Sequence, residues 1–179
     1  MNLPLLNNNF YFKRRLRTKI SNSNINSIIY VIIGLIILIL YITQLTMDEK
    51  FDVLSNFQNN YTYKQVTGYL LLIYVMYQFR LAKARKNTKL IRYHCCVHKI
   101  QGLFAPLVLY VHSMELGYAY QVLLSSLFLT NCLIGLLSPQ QLKIAKVSYV
   151  NSWLIVHVAI AILIVGLSFY HIFITYWYS

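Results

Sequence analysis

Four of the five histidines in this sequence recur at a single spacing. His98 and His112 are fourteen residues apart, and so are His157 and His171. At ~100° per residue, fourteen steps return to within about 40° of the start, so each pair lies on one face of a helix. The same interval covers about 21 Å of helix axis, most of a hydrocarbon core ~30 Å thick. Imidazole transfers protons near neutral pH and ligates metals through either ring nitrogen. A proton relay, another metal site or simple packing each accounts for histidines inside a helix. A relay gives no reason for the same interval to appear twice, whereas metal ligation at two depths does.

The elements carrying these residues are strongly apolar. Of 179 residues 58% are hydrophobic and 11% charged, against roughly 25% charged in soluble domains. Five apolar segments stand out, at about 28–45, 66–84, 93–114, 118–137 and 150–176. Isoleucine-rich runs suggest strands in water. In lipid they must be helices, because each backbone polar group needs a partner within its own segment. The expected fold is therefore all-α, a polytopic membrane bundle of about five helices. A basic arm over residues 1–26 precedes a transmembrane domain over 27–179. The arm lacks the pattern of a cleaved signal peptide, and as an acid-poor, basic stretch it also fits a mitochondrial presequence.

The net charge of +12 does not imply nucleic acid, because the basic residues flank apolar spans rather than forming a stripe. Lys13, Arg14, Arg15, Arg17 and Lys19 precede the first span. Arg80, Lys83, Arg85, Lys86, Lys89, Arg92 and Lys99 lie between or just inside the second and third. Lys143 and Lys146 lie between the fourth and fifth. Five alternating spans put all of these on one side and leave Lys50 and Lys64, with Asp48, Glu49, Asp52 and Glu115, on the other. The positive-inside rule then places the N-terminus inside and the C-terminus outside. The Asn60-Tyr61-Thr62 sequon falls outside but is a common tripeptide. Trp153 and Trp177 mark the two ends of the last span as interfacial aromatics, and Pro106 is expected to kink the third. Cys95, Cys96 and Cys132 have no metal-site or disulfide spacing and read as packing residues.

In this topology the third and fifth spans run the same way. His98 and His157 share the inner depth, and His112 and His171 share the outer depth. Two cross-helix pairs are what two iron porphyrins with bis-histidine axial ligation require, so the expected cofactors are two haem b groups. With both axial positions filled by protein, such iron suits electron transfer. His94, one turn before His98, is a spare that breaks the interval to His112. Gly102 and Gly166 lack side chains near the ligands and would let a flat macrocycle approach, although small-residue helix packing uses glycine equally well. Arg92, Lys99, Lys143 and Lys146 are candidates for the carboxylates of the inner group, and Tyr118, Tyr170 and Ser113 for those of the outer.

The stretches HKIQGLFAPLVLYVHS and WLIVHVAIAILIVGLSFYHIF resemble the transmembrane domain of ferric reductases and NADPH oxidases. The likeness covers roughly residues 66–177 and rests on the histidine interval and the His-Lys-x-x-Gly start. It implies His98, His112, His157 and His171 as ligands of two b haems. Members of that family usually continue into a flavin and nicotinamide domain, and no dinucleotide fingerprint follows here. Only 44 residues separate His112 from His157, leaving room for a single span. The quinone-oxidising cytochrome b of respiratory complexes is similar in its parallel pairs but is much longer. The expected function is electron transfer across a bacterial cytoplasmic or organellar inner membrane, as a subunit of a larger redox complex that supplies donor and acceptor, with quinone among the candidates. The competing expectations are an accessory subunit with one haem or none, a quinol-oxidising subunit, and a proton-conducting protein.

Overall fold

The computed structural model describes residues 24–47, 50–81, 88–144 and 146–178. Most of the basic arm, Asp48, Glu49 and residues 82–87 lie outside the described residues. Among the described residues the chain is all-helical, with six helices: α1 (Asn24–Met47), α2 (Asp52–Gln58), α3 (Tyr61–Gln78), α4 (Thr88–His112), α5 (Tyr120–Leu136) and α6 (Val147–Trp177). All but α2 overlap the apolar segments read from the sequence. Two of them, α1 and α6, are long and apolar enough to cross a membrane by length and composition, with mean hydropathies of 2.4 and 2.3. At 31 residues, α6 is about 46 Å long, more than a ~30 Å hydrocarbon core demands.

Local sequence sets the helix ends. Asn60 caps α3, its side chain accepting from the Tyr63 N–H at 3.2 Å, which starts the helix five residues before the expected apolar segment. Asp52 places a negative charge in the first turn of α2, where it meets the positive end of the helix dipole. Pro106 sits inside α4 without ending it. Having no N–H, it leaves the Gly102 carbonyl without its intrahelical donor. The turn into α5 places Gly117 at φ +81° and Ala119 at φ 51°.

Helices α3 to α6 form a four-helix arrangement in which α3 packs on α4 and α6, and α5 packs on α4 and α6. The two histidine-bearing helices, α4 and α6, therefore stand on a diagonal and meet through side chains rather than through close backbone packing. Helix α1 covers α4 and α5 from outside. The core lies between the two histidine depths, where Ala105 and Leu109 of α4, Phe128 of α5 and Ile164 of α6 meet Tyr41 of α1. Cys132 packs at the edge of this cluster and is a free thiol, like Cys95 and Cys96.

The C-terminal end of α4 is held by a polar clamp. Gln58, at the end of α2, is buried; its Nε2 donates to the Tyr110 and Val111 carbonyls at 2.8 and 3.1 Å. Its Oε1 accepts from the Met114 N–H at 3.1 Å. Tyr63 donates to the Val111 carbonyl and Tyr41 to the Ser113 carbonyl. These are carbonyls and an N–H that a helix end leaves without partners. Met114 is only 2% exposed, so its N–H has no ready substitute in water. Replacing Gln58 by Leu strands the Tyr110 carbonyl and the Met114 N–H and should lower stability by about 1–3 kcal/mol. Thermal unfolding of the purified variant in detergent reads this directly, and an unchanged midpoint would show that the clamp carries nothing.

Candidate metal centre

The bundle brings the four spaced histidines together in the expected pairs. His98 and His157 face each other across the diagonal, with ring centroids 6.1 Å apart and planes at 88°. Two imidazoles on opposite sides of one metal, at about 2 Å per metal–nitrogen bond, place their centroids roughly 6 Å apart. Nδ1 of each ring is buried and makes no hydrogen bond, and the Gln78 backbone is a hydrogen-bond partner of the His98 ring. Buried, unpaired polar atoms are uncommon in folded proteins and call for an explanation such as a bound ion. His94 pairs edge-on with its neighbour Tyr93; His98 is the ring that confronts His157.

Trp153 does more than mark the end of α6. Its indole stacks on the His157 ring at 9° and 5.4 Å, and its Nε1 donates to the Ile134 carbonyl at 2.8 Å. The ring of His157 is thus held between Trp153 and Gly135, whose missing Cβ would lie 3.5 Å from His157 Cε1.

The second pair, at the other end of the apolar core, is organised differently. His112 and His171 are close enough to interact electrostatically, and each Nδ1 has a hydroxyl partner from a flanking helix. Thr67 Oγ1 on α3 lies 3.1 Å from His112 Nδ1. The Tyr120 hydroxyl on α5 lies 3.2 Å from His171 Nδ1. In both cases Nε2 is the nitrogen left over, as in a metal-binding imidazole oriented through its far nitrogen. Gly68, next to Thr67, lets the His112 ring lie against α3: a Cβ there would stand 3.1 Å from His112 Cε1.

The remaining expected site residues separate into those near the pairs and those elsewhere. Gly102 and Gly166 open onto free space, with nothing within 4 Å of an added Cβ. The glycines that touch histidine rings are Gly68 and Gly135. Lys99 donates to Gln140 Oε1 at 2.9 Å. Lys143 has a left-handed backbone at φ 56°, and Lys146 is the residue before α6. The Arg92 side chain lies outside the described residues. Ser113 turns to the Glu115 carbonyl, Tyr118 is 83% exposed, and Tyr170 packs edge-on against Tyr120 at 5.1 Å. Thr67, Gly68, Tyr120 and Gly135 were not legible as site residues, because each reaches a histidine from another helix. The one available signal was the small Thr-Gly pair inside an otherwise bulky span.

Among the described residues no group of three or more His, Cys, Asp or Glu side chains converges. Among those residues each depth offers two imidazoles and no third ligand. Protein sites for bare zinc supply three or four ligands, so a pair on a diagonal fits a metal whose other positions a planar macrocycle already fills. The chain matches no family model, no curated protein and no solved structure.

Proposed function

We propose that this protein is a membrane-embedded di-haem b cytochrome. His98 and His157 hold one haem, and His112 and His171 hold the other. When bound, the haems would supply reversible one-electron chemistry at iron; the four imidazoles would hold them, and the bundle would space them on either side of the apolar core. The observation that carries this reading is the diagonal placement of α4 and α6, with His98 and His157 opposed at 6.1 Å. The charge pattern supports five spans with the N-terminus and the His98–His157 depth inside, and the His112–His171 depth outside. Donor and acceptor belong to other subunits of a redox complex, with a quinone among the candidates. The exposed apolar side chains of α1 and α6, among them Ile36, Leu40, Ile162 and Phe173, are suited to lipid.

The measurement that tests this is the haem count. Full-length protein purified from membranes of a haem-replete host should be red, with a low-spin b-type spectrum and two haems per chain. A folded, colourless preparation from that host overturns the proposal. Proton flux through reconstituted vesicles in the absence of haem would favour a relay in its place.

A further inference from the structure

Thr67 decides which nitrogen of His112 can donate to a metal. Thr67 Oγ1 lies 2.8 Å from the Tyr63 carbonyl oxygen, one turn back in α3. A carbonyl oxygen only accepts, so the single hydroxyl proton of Thr67 must lie on that contact. Thr67 then faces His112 Nδ1 at 3.1 Å with a lone pair and no proton. The proton of this second contact has to come from the imidazole. His112 is therefore the Nδ1–H tautomer, and its Nε2 carries the free lone pair.

A hydrogen bond donated by the far nitrogen fixes the ring and raises its basicity as a ligand. Stronger donation favours the oxidised metal. His171 has the Tyr120 hydroxyl in the equivalent place, and ligation through Nε2 makes its Nδ1–H the donor there.

We infer that Thr67 is a positioning residue that locks His112 for ligation through Nε2 and so lowers the potential of the His112–His171 site. This rests on the di-haem reading above and adds the residue that sets the donor strength of one ligand. Gly68 is part of the device, because a Cβ there would stand 3.1 Å from His112 Cε1 and push the ring off Thr67.

The test is a potentiometric titration of the full-length protein carrying both haems, followed at the b-type absorbance bands. The wild type should titrate in two steps. Thr67→Val, which removes the acceptor but keeps the branched shape, should move upwards the step that His171→Ala abolishes and leave the other step in place. Thr67→Ser should restore the wild-type curve. Thr67→Cys, with a weaker acceptor, should give an intermediate upward shift and serves as the readout if the valine variant sheds a haem. A shift confined to the other step, or no shift in valine or cysteine variants that hold both haems, overturns the inference while leaving the di-haem reading intact. Absence of haem from the wild type overturns both.

Discussion

Changing His171 to Ala should lower the haem content of a di-haem protein from two per chain to one, and changing His157 to Ala should do the same at the other site. Loss of outer-shell partners alone costs roughly 10–100-fold in metal affinity, so loss of an axial nitrogen should cost more than about 100-fold. The remaining haem identifies the pairing. In His171→Ala the surviving spectrum belongs to His98 and His157, which oppose each other at 6.1 Å with their supports, Trp153 and Gly135, untouched. In His157→Ala it belongs to His112 and His171, with Thr67 and Tyr120 still in place. The double variant His112→Ala/His171→Ala should look like either of its single variants, because removing the second ligand of an emptied site costs nothing further. His94→Ala should keep both haems, since that ring meets Tyr93 rather than His157. Haem extraction against protein concentration measures all of these. Single changes that remove neither haem, or always remove both, would show that the pairs are assigned wrongly.

Much of this arrangement was legible before any coordinates. The fourteen-residue interval is a property of helical geometry, and it marked His98, His112, His157 and His171 as two one-faced pairs. The helices carrying them fall where hydropathy puts them, because long apolar runs determine helix position whatever the tertiary detail. Short-range polar logic was less visible. Helix α2 is only seven residues long, and its purpose, to bring Gln58 under the end of α4, depends on a contact 52 residues away in the chain. The same holds for Thr67 against His112, 45 residues apart, and Tyr120 against His171, 51 apart. Periodicity describes a helix's own faces and is silent about which residue of a neighbour stands opposite. The glycines show the difference. Gly102 and Gly166 were singled out because they share helices with the histidines. Gly68 and Gly135, on the flanking helices, are the ones against which the rings lie. Trp153 fits its role as an aromatic near a helix end, yet its stack on His157 required the fold.

Those two glycines lead to the last prediction, in which the same mutation has different effects at two superficially equivalent places. Gly68→Ala puts a methyl carbon 3.1 Å from His112 Cε1, whereas Gly135→Ala puts one 3.5 Å from His157 Cε1. The second distance is an ordinary van der Waals contact; the first is closer than packed carbons normally sit, so the His112 ring must move by a few tenths of an ångström. That shift falls on a ring also tied to Thr67 at 3.1 Å, and a hydrogen bond weakens quickly as it lengthens and bends. Gly68→Ala should therefore weaken the haem held by His112 and His171 by about tenfold, within the range for a disturbed outer shell, with the other haem unaffected. Gly68→Val, which adds two more carbons against the ring, should empty that site. Gly135→Ala should leave both haems bound. Alanine also suits a helix interior better than glycine by up to about 1 kcal/mol, so both alanine variants should unfold at the same or higher temperature than the parent once haem is removed. A haem-specific loss in Gly68→Ala without loss of apoprotein stability separates ring displacement from general unfolding. Equal haem retention in the two alanine variants would mean that the His112 ring has room to spare and that Gly68 is present for helix packing alone.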